Sequence, residues 1–204
     1  MYFRILLSGV ALTALTACGG GGGGGGTVDL NSGDGSFGDL VAETDRLTDL
    51  VTGSGATYVS VDPDVGSATD ANFDGIVLIS TPGSADPGDI AWVGQIDVDV
   101  NFETNVLDGT ASNFFQNTIA SDGSPGGPAF SRDGTVSIGA DVDDSDFVVV
   151  LGGEVDLDGT GLETVEGNLE GNFFGPNSST IDAFAAQGQA DVGSDTLDWS
   201  MVAD

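Results

Sequence analysis

Over much of the chain beyond residue 95, apolar and polar residues alternate with a period of two. Ile96, Val98, Val100 and Phe102 are separated by Asp97, Asp99, Asn101 and Glu103, giving one apolar and one acidic face and predicting a half-buried strand. Val136, Ile138, Ala140 and Val142 repeat the device, and Val149, Leu151, Val155 and Leu157 continue it around Gly153. In the next run Val165, Gly167, Leu169, Gly171 and Phe173 share a face against Glu166, Asn168, Glu170 and Asn172. Small and large residues interleaved on one face suit the tapering interior of a small closed barrel. Further candidate strands are 56–61, 75–80, 109–115, 181–189 and 197–202, each bounded by Gly, Asp, Asn or Pro. The period changes at Val41, Leu47, Leu50 and Val51, which predict a short amphipathic helix ended by Gly53-Ser54-Gly55. The expected fold is therefore all-β: a single antiparallel barrel of about eight strands preceded by a short helix. Aspartates on the outer faces protect edges from pairing and oppose a membrane-spanning barrel, whose outer face would be apolar.

The first residues follow a different logic. Arg4 precedes an apolar stretch through Ile5, Leu6, Leu7, Val10, Ala11 and Leu12, and small residues lead to Leu15-Thr16-Ala17-Cys18, the layout of a secretory signal. The stretch is too short and interrupted to span a bilayer, which takes about 20 apolar residues. Cys18, the only cysteine, stands where a bacterial lipoprotein is cut and acylated. Several acyl chains at about 0.8 kcal/mol per buried methylene would hold the protein to a membrane. Gly19 follows where an aspartate would favour inner-membrane retention, which directs the expectation to the outer membrane. Gly19 to Gly26 form an unbroken run that reads as a flexible tether. It lacks the Lys-Ser/Thr and preceding strand of a phosphate-binding loop. The expected organisation is a lipoprotein signal peptide over 1–17, lipidated cysteine and tether over 18–36, helical lead-in over 37–54 and barrel over 55–204.

Charge and composition narrow the chemistry. Cleavage before Cys18 leaves 33 acidic residues against Arg46 and Arg132, with no lysine or histidine. This field repels phosphate, so nucleic acid is not an expected partner. With neither histidine nor lysine, and with the thiol committed to lipid, Ser-His-Asp, Cys-His, Schiff-base and His-ligated zinc chemistry have no participants. We expect no enzyme activity and no cofactor. The acidic clusters Asp62-Pro63-Asp64, Asp141 to Asp146 and Asp156-Leu157-Asp158-Gly159 raise the question of calcium. None has a twelve-residue calcium loop or the repeat of a calcium β-roll, so the metal assignment stays open. Trp92, Trp199 and Tyr58 fall within strand-like patterns and read as core. Residues 122–132, with Pro125, Gly126, Gly127 and Pro128, form the best candidate recognition loop.

Two segments carry a family resemblance. Gly109-Thr110-Ala111-Ser112-Asn113-Phe114-Phe115 and Leu169-Glu170-Gly171-Asn172-Phe173-Phe174-Gly175-Pro176-Asn177 resemble the strands and turn of the transferrin-binding protein B-like surface lipoproteins, the group that includes the factor H-binding protein. The resemblance implies an eight-stranded lipid-anchored barrel at the cell surface, with the last strand following the Phe-Phe-Gly-Pro turn. It spans about residues 105–190. Where the family places Gly-Gly before the phenylalanine of that strand, this chain has Asp182-Ala183-Phe184, and its length suits one barrel, not paired lobes. Transferrin is therefore not implied. Phe114 and Phe115 cannot both face inward on a regular strand, so one must be exposed or lie at a bulge. The expected function is a non-catalytic, surface-exposed outer-membrane lipoprotein, joined to the membrane by its lipid and binding an extracellular protein or small ligand. The alternatives are a periplasm-facing barrel holding a small apolar ligand beside Gly167 and Gly171, and a structural envelope lipoprotein.

Overall fold

The computed structural model describes residues 35–51, 58–62, 70–83, 86–121, 125–142 and 146–204. Cys18, the glycine run and Gly53-Ser54-Gly55 lie outside them. One helix, α1 (Phe37–Val51), precedes ten strands: β1 (Val59–Val61), β2 (Asp70–Ser80), β3 (Ile90–Asn101), β4 (Val106–Thr118), β5 (Phe130–Arg132), β6 (Gly134–Asp141), β7 (Asp146–Val155), β8 (Glu163–Gly175), β9 (Ala183–Val192) and β10 (Asp195–Ala203). Strands β2, β3, β4, β6, β7, β8, β9 and β10 pair antiparallel in that order, and β10 pairs back with β2. The result is the expected eight-stranded closed barrel. β1 and β5 are short additions, pairing with the ends of β8 and β4.

Alternation along each strand sets the two faces. Ile96, Val98 and Val100 are buried in the lumen while Asp97 and Asp99 face solvent. The lumen is filled by a rule visible in the register: large residues lie across from glycine. Ile96 pairs with Gly75, Val98 with Gly109, Leu151 with Gly167, Phe147 with Gly171 and Trp199 with Gly188. Eight strands enclose a space just wide enough for side chains, so rings as large as these need an empty position opposite. The same glycines let strands coil tightly. A Cβ on Gly109 would lie 2.5 Å from the Asp97 carbonyl oxygen, and one on Gly188 would lie 2.7 Å from that of Asn168.

The Phe114–Phe115 problem is resolved by a bulge. Register slips between Val93 and Gln95, where Asn113 takes a φ of 53°. Phe114 then points into the lumen, fully buried, and Phe115 points outward against Phe37 with ring centroids 6.1 Å apart. Asn113 is tied to the helix lead-in, donating Nδ2 to the Gly35 carbonyl at 2.8 Å.

Helix α1 begins four residues before the first residue of the apolar spacing, Val41. Ser36 and Asp39 cap it reciprocally: Ser36 N and Oγ donate to the Asp39 carboxylate at 3.0 and 2.6 Å, the arrangement of a capping box. Those bonds hold Asp39 below the usual carboxylate range. Leu40 and Leu47 press on Ile76 and Leu78 of β2, Val93 of β3 and Val202 of β10. This contact explains why Ile76–Ile79 is apolar on both faces: Val77 and Ile79 fill the lumen while Ile76 and Leu78 lie under the helix. Arg46 clamps the helix, bonding Glu43 at 2.5 Å and the Asp204 carboxylate at 2.5 and 2.7 Å. Asp204 is itself paired through its backbone with Asp74.

Several sequence-derived boundaries shift. Of the strand expected over 56–61, residues 56 and 57 lie outside the described residues, Val59–Val61 form β1, and Tyr58 lies just before it, half-buried. Phe102, Val142 and Leu157 fall beyond the ends of their strands, although Val142 and Leu157 still fill the lumen. The Phe-Phe-Gly-Pro turn joins β8 to β9 and is followed by two strands, not by the last one. A Cβ at Gly175 would overlap the Thr180 carbonyl, so this turn closes only with glycine. Phe184 is inward, fully buried and registered with Phe173, so Asp182-Ala183 leaves the strand in register without a double glycine.

Two outcomes follow. Gly109→Ala should cost about 2 kcal/mol or more through backbone overlap. Gly139→Ala, whose Cβ would meet only the Leu107 carbonyl at 3.9 Å, should stay within about 0.5 kcal/mol of the parent. Urea unfolding of the pair checks the rule. The second concerns Asp45, which has one buried oxygen without a partner among the described residues; burial first, then Asp49, raises its pKa above the ordinary 3.8. The folded chain thus holds this proton more tightly than the unfolded chain, and its cost is absent below pH 3.8 and grows as pH rises through the folded pKa. Asp45→Asn should therefore stabilise the protein at pH 7, with the gain shrinking as unfolding is measured at progressively lower pH.

Candidate binding surface at the barrel mouth

The two ends of the barrel are built differently. At the end where β8 finishes, Phe147 and Phe173 lie 4.8 Å apart, Phe102 and Phe173 5.5 Å, and Phe73 and Phe184 6.0 Å. This aromatic cluster closes that end from within, and such contacts add about 0.5–1.5 kcal/mol per pair beyond area burial. The other end, the mouth, carries the connections 81–89, 119–129, 156–162 and 193–194.

A cross-strand row runs from the upper lumen out to the rim. Register places Gly188, Trp199, Ile79, Trp92, Gln116 and Phe130 side by side on five neighbouring strands and β5. Trp92 donates Nε1 to the Leu157 carbonyl at 2.7 Å. Leu157 is itself buried, so the connection after β7 folds across the lumen and stoppers it. Asp156 N bonds the Asp133 carbonyl at 2.8 Å, and the Asp156 and Asp158 carboxylates accept from Gly159 N and Thr160 N at 2.6 and 2.8 Å. The bonds from Thr160 hold Asp158 below the usual carboxylate range.

Arg132 stands at the rim. Its Nε and Nη2 donate to Gln116 Oε1, and its guanidinium lies 5.9 Å over the Phe130 ring. Gly159 packs so closely on it that a Cβ there would overlap Nη1. Phe130 and Leu162 are exposed by 55% and 56%. The sequence-derived recognition loop reaches the mouth through its described part, 125–132, while Asp122, Gly123 and Ser124 lie outside the described residues. Buried Asn117 folds this loop back, donating to the Gly127 carbonyl at 3.0 Å and accepting from Gly126 N at 3.1 Å.

The remaining sequence candidates are scattered. Asp141 is exposed on the outer wall, and residues 143–145 and the side chain of Asp146 lie outside the described residues, as do Pro63 and Asp64. Asp156 and Asp158 serve turn bonds, and among the described residues no three acidic or thiol groups converge to hold a metal ion. Trp92 and Trp199 are core, as expected, but the Trp199 indole N–H meets no acceptor among the described residues. Gly167 and Gly171 do not border open space: Cβ atoms there would meet Ala190 and the Phe147 ring. Sequence reading missed the Leu157 stopper and the Arg132–Gln116 bond. The available signal was the period-two spacing of Val149, Leu151, Val155 and Leu157, which carries the inward face past the end of β7 into the turn.

Along the wall, acidic residues face one another. Asp74 lies across from Asp97, and Asp99 across from Asp108, arrangements that normally destabilise a sheet. Amides soften them: Asn72 Nδ2 donates to Asp97 at 2.9 Å and Asp99 at 3.1 Å, and Asn101 donates to Asp70 at 2.7 Å. In comparisons with protein-family models and with curated proteins, nothing matches this chain. By architecture it is a closed eight-stranded antiparallel barrel with a helix strapped to its wall.

Trp92→Phe should remove the donor to Leu157 while preserving most of the packing. We expect a loss of about 1–2 kcal/mol and faster amide exchange across 156–162, with exchange in β6 and β8 little changed.

Proposed function

We propose that this chain is a non-catalytic outer-membrane lipoprotein, anchored through Cys18, whose barrel serves as a rigid module for binding a ligand or protein from its outer surface. The observation that carries this reading is the filled lumen. Phenylalanines close one end, Leu157 stoppers the other, and the glycines of β8 face packed atoms. Contact is thereby left to walls and loops. The outer wall displays Asp97, Asp99, Glu166 and Glu170, which suits an aqueous setting and not the apolar belt of a membrane-spanning barrel. The Leu15-Thr16-Ala17-Cys18 pattern and the resemblance to transferrin-binding protein B-like lipoproteins support display at the cell surface.

One observation favours a lumenal small-ligand role instead: the buried Trp199 N–H, which a ligand bearing an acceptor would satisfy. Solvent extraction of purified protein followed by mass spectrometry decides this; a stoichiometric apolar compound would favour the lumen.

Cys18→Ala should move the protein from the membrane to the soluble fraction, and retention in the membrane would overturn the anchor. Protease added to intact cells should cut the barrel while sparing a periplasmic lipoprotein control. Protection that ends when the outer membrane is opened would place the barrel in the periplasm.

A further inference from the structure

The hydrogen-bonded cylinder of the barrel is complete without α1. β10 closes on β2 from Asp198–Ser80 to Ala203–Gly75, and no strand pairing passes through the helix. Its joints to the wall are made by side chains: Leu40 and Leu47 on Ile76, Leu78, Val93 and Val202, Phe37 on Phe115, and Arg46 on Asp204. The helix also brings buried polar groups to this contact. Glu43 is buried, Thr44 turns its hydroxyl back to the Leu40 carbonyl at 2.8 Å, and Asp45 keeps a buried oxygen without a partner among the described residues. Incompletely paired buried charge weakens the element that carries it, and a helix of 15 residues is marginal in water once its packing is lost. Arg46, its one cation, is 34% exposed. An element held in this way opens at a lower free energy than the strands it rests on.

The surface beneath α1 is unlike the wall around it. Ile76, Leu78, Val93 and Val202 are at most 4% exposed there, whereas the neighbouring outward positions of β2 and β3 carry Asp74, Asp97 and Asp99. Opening the helix uncovers an apolar strip with the Asp204 carboxylate beside it, deprived of Arg46. The strip is already matched to a helix: Leu40 and Leu47 stand two turns, about 10 Å, apart, and Arg46 adjoins the second.

We propose that α1 is a releasable strap, which opens as a unit while the barrel stays closed, and that the uncovered strip takes a partner's amphipathic helix with leucines two turns apart and a cation to meet Asp204. This rests on the reading of the barrel's outer wall as its binding surface.

The test places a thiol under the strap, Val202→Cys, and another in the lumen, Val98→Cys, each in the full chain with Cys18→Ala so that the new thiol is the only one. Iodoacetamide should label position 202 about tenfold faster than position 98. Arg46→Gln should speed labelling at 202 about fivefold and leave 98 within about twofold. A synthetic peptide of residues 36–51, added at millimolar concentration to the Arg46→Gln chain, should slow labelling at 202 by about twofold or more, and the same peptide with Leu40→Asp and Leu47→Asp should not. Equal labelling of the two sites, or equal acceleration of both by Arg46→Gln, would overturn the release. Fast labelling at 202 that neither peptide slows would overturn the docking. Hydrogen exchange of the unsubstituted chain checks the opening without a thiol: protection of α1 equal to that of β3 and β8 would overturn it. None of these results touches the outer-wall reading, which falls separately if solvent extraction finds a stoichiometric ligand in the lumen.

Discussion

The volume of the lumen governs this fold. An eight-stranded barrel has almost no interior to spare, yet this one encloses two tryptophans and several phenylalanines. Both can hold only if large residues face absent ones. The pairings of Phe147 with Gly171 and Trp199 with Gly188 meet that condition. The cost of glycine in a strand, roughly 0.5–1 kcal/mol against alanine, is offset by the burial of a large apolar side chain, worth about 1.5–3 kcal/mol. The glycine richness is here a packing requirement and not the mark of a loose chain. The same demand bends the strands, since several of these positions lie against the backbone of the neighbouring strand.

From that packing the rest follows through one irregularity. To place Phe114 inside opposite Gly94, β4 takes an extra residue at Asn113, and the next ring is thrown outward. Phe115 and the Asn113 amide then provide the seat for the start of α1. The helix covers an outer strip that would otherwise expose Ile76 and Leu78. In a chain so short of cations, Arg46 secures the helix and Arg132 secures the rim, while asparagines do along the wall what lysines would do elsewhere.

The barrel was legible because period-two alternation survives in β3, β6 and β8, where one face is wet. It was less legible in β2, because a strand buried on both faces loses its alternation, and Ile76–Ile79 then marks only a strand's existence. The lead-in expected over 37–54 starts where α1 does, although the apolar spacing begins only at Val41; the first turn is set by the polar bonds of Ser36 and Asp39. β5 was missed for a different reason: three residues pairing with the end of β4 leave no periodic trace. The site was the least legible part. Arg132 with Gln116, and Trp92 with Leu157, are distant in sequence and joined only by closure of the barrel.

That closure also changes what the mouth means. Loops at a barrel end are where recognition is usually sought, and the Pro-Gly-rich segment after β4 invites that reading. Here the described part of the loop is folded back by Asn117, its neighbour is stoppered by Leu157, and Arg132 is spent on Gln116. Polar groups already satisfied internally have little left to offer a partner. What the barrel exposes instead is the acidic wall of β2, β3 and β4, where Asp99 stands opposite Asp108 and Asn72 donates to both Asp97 and Asp99. A partner that brought positive charge to that wall would relieve a repulsion the folded chain otherwise carries.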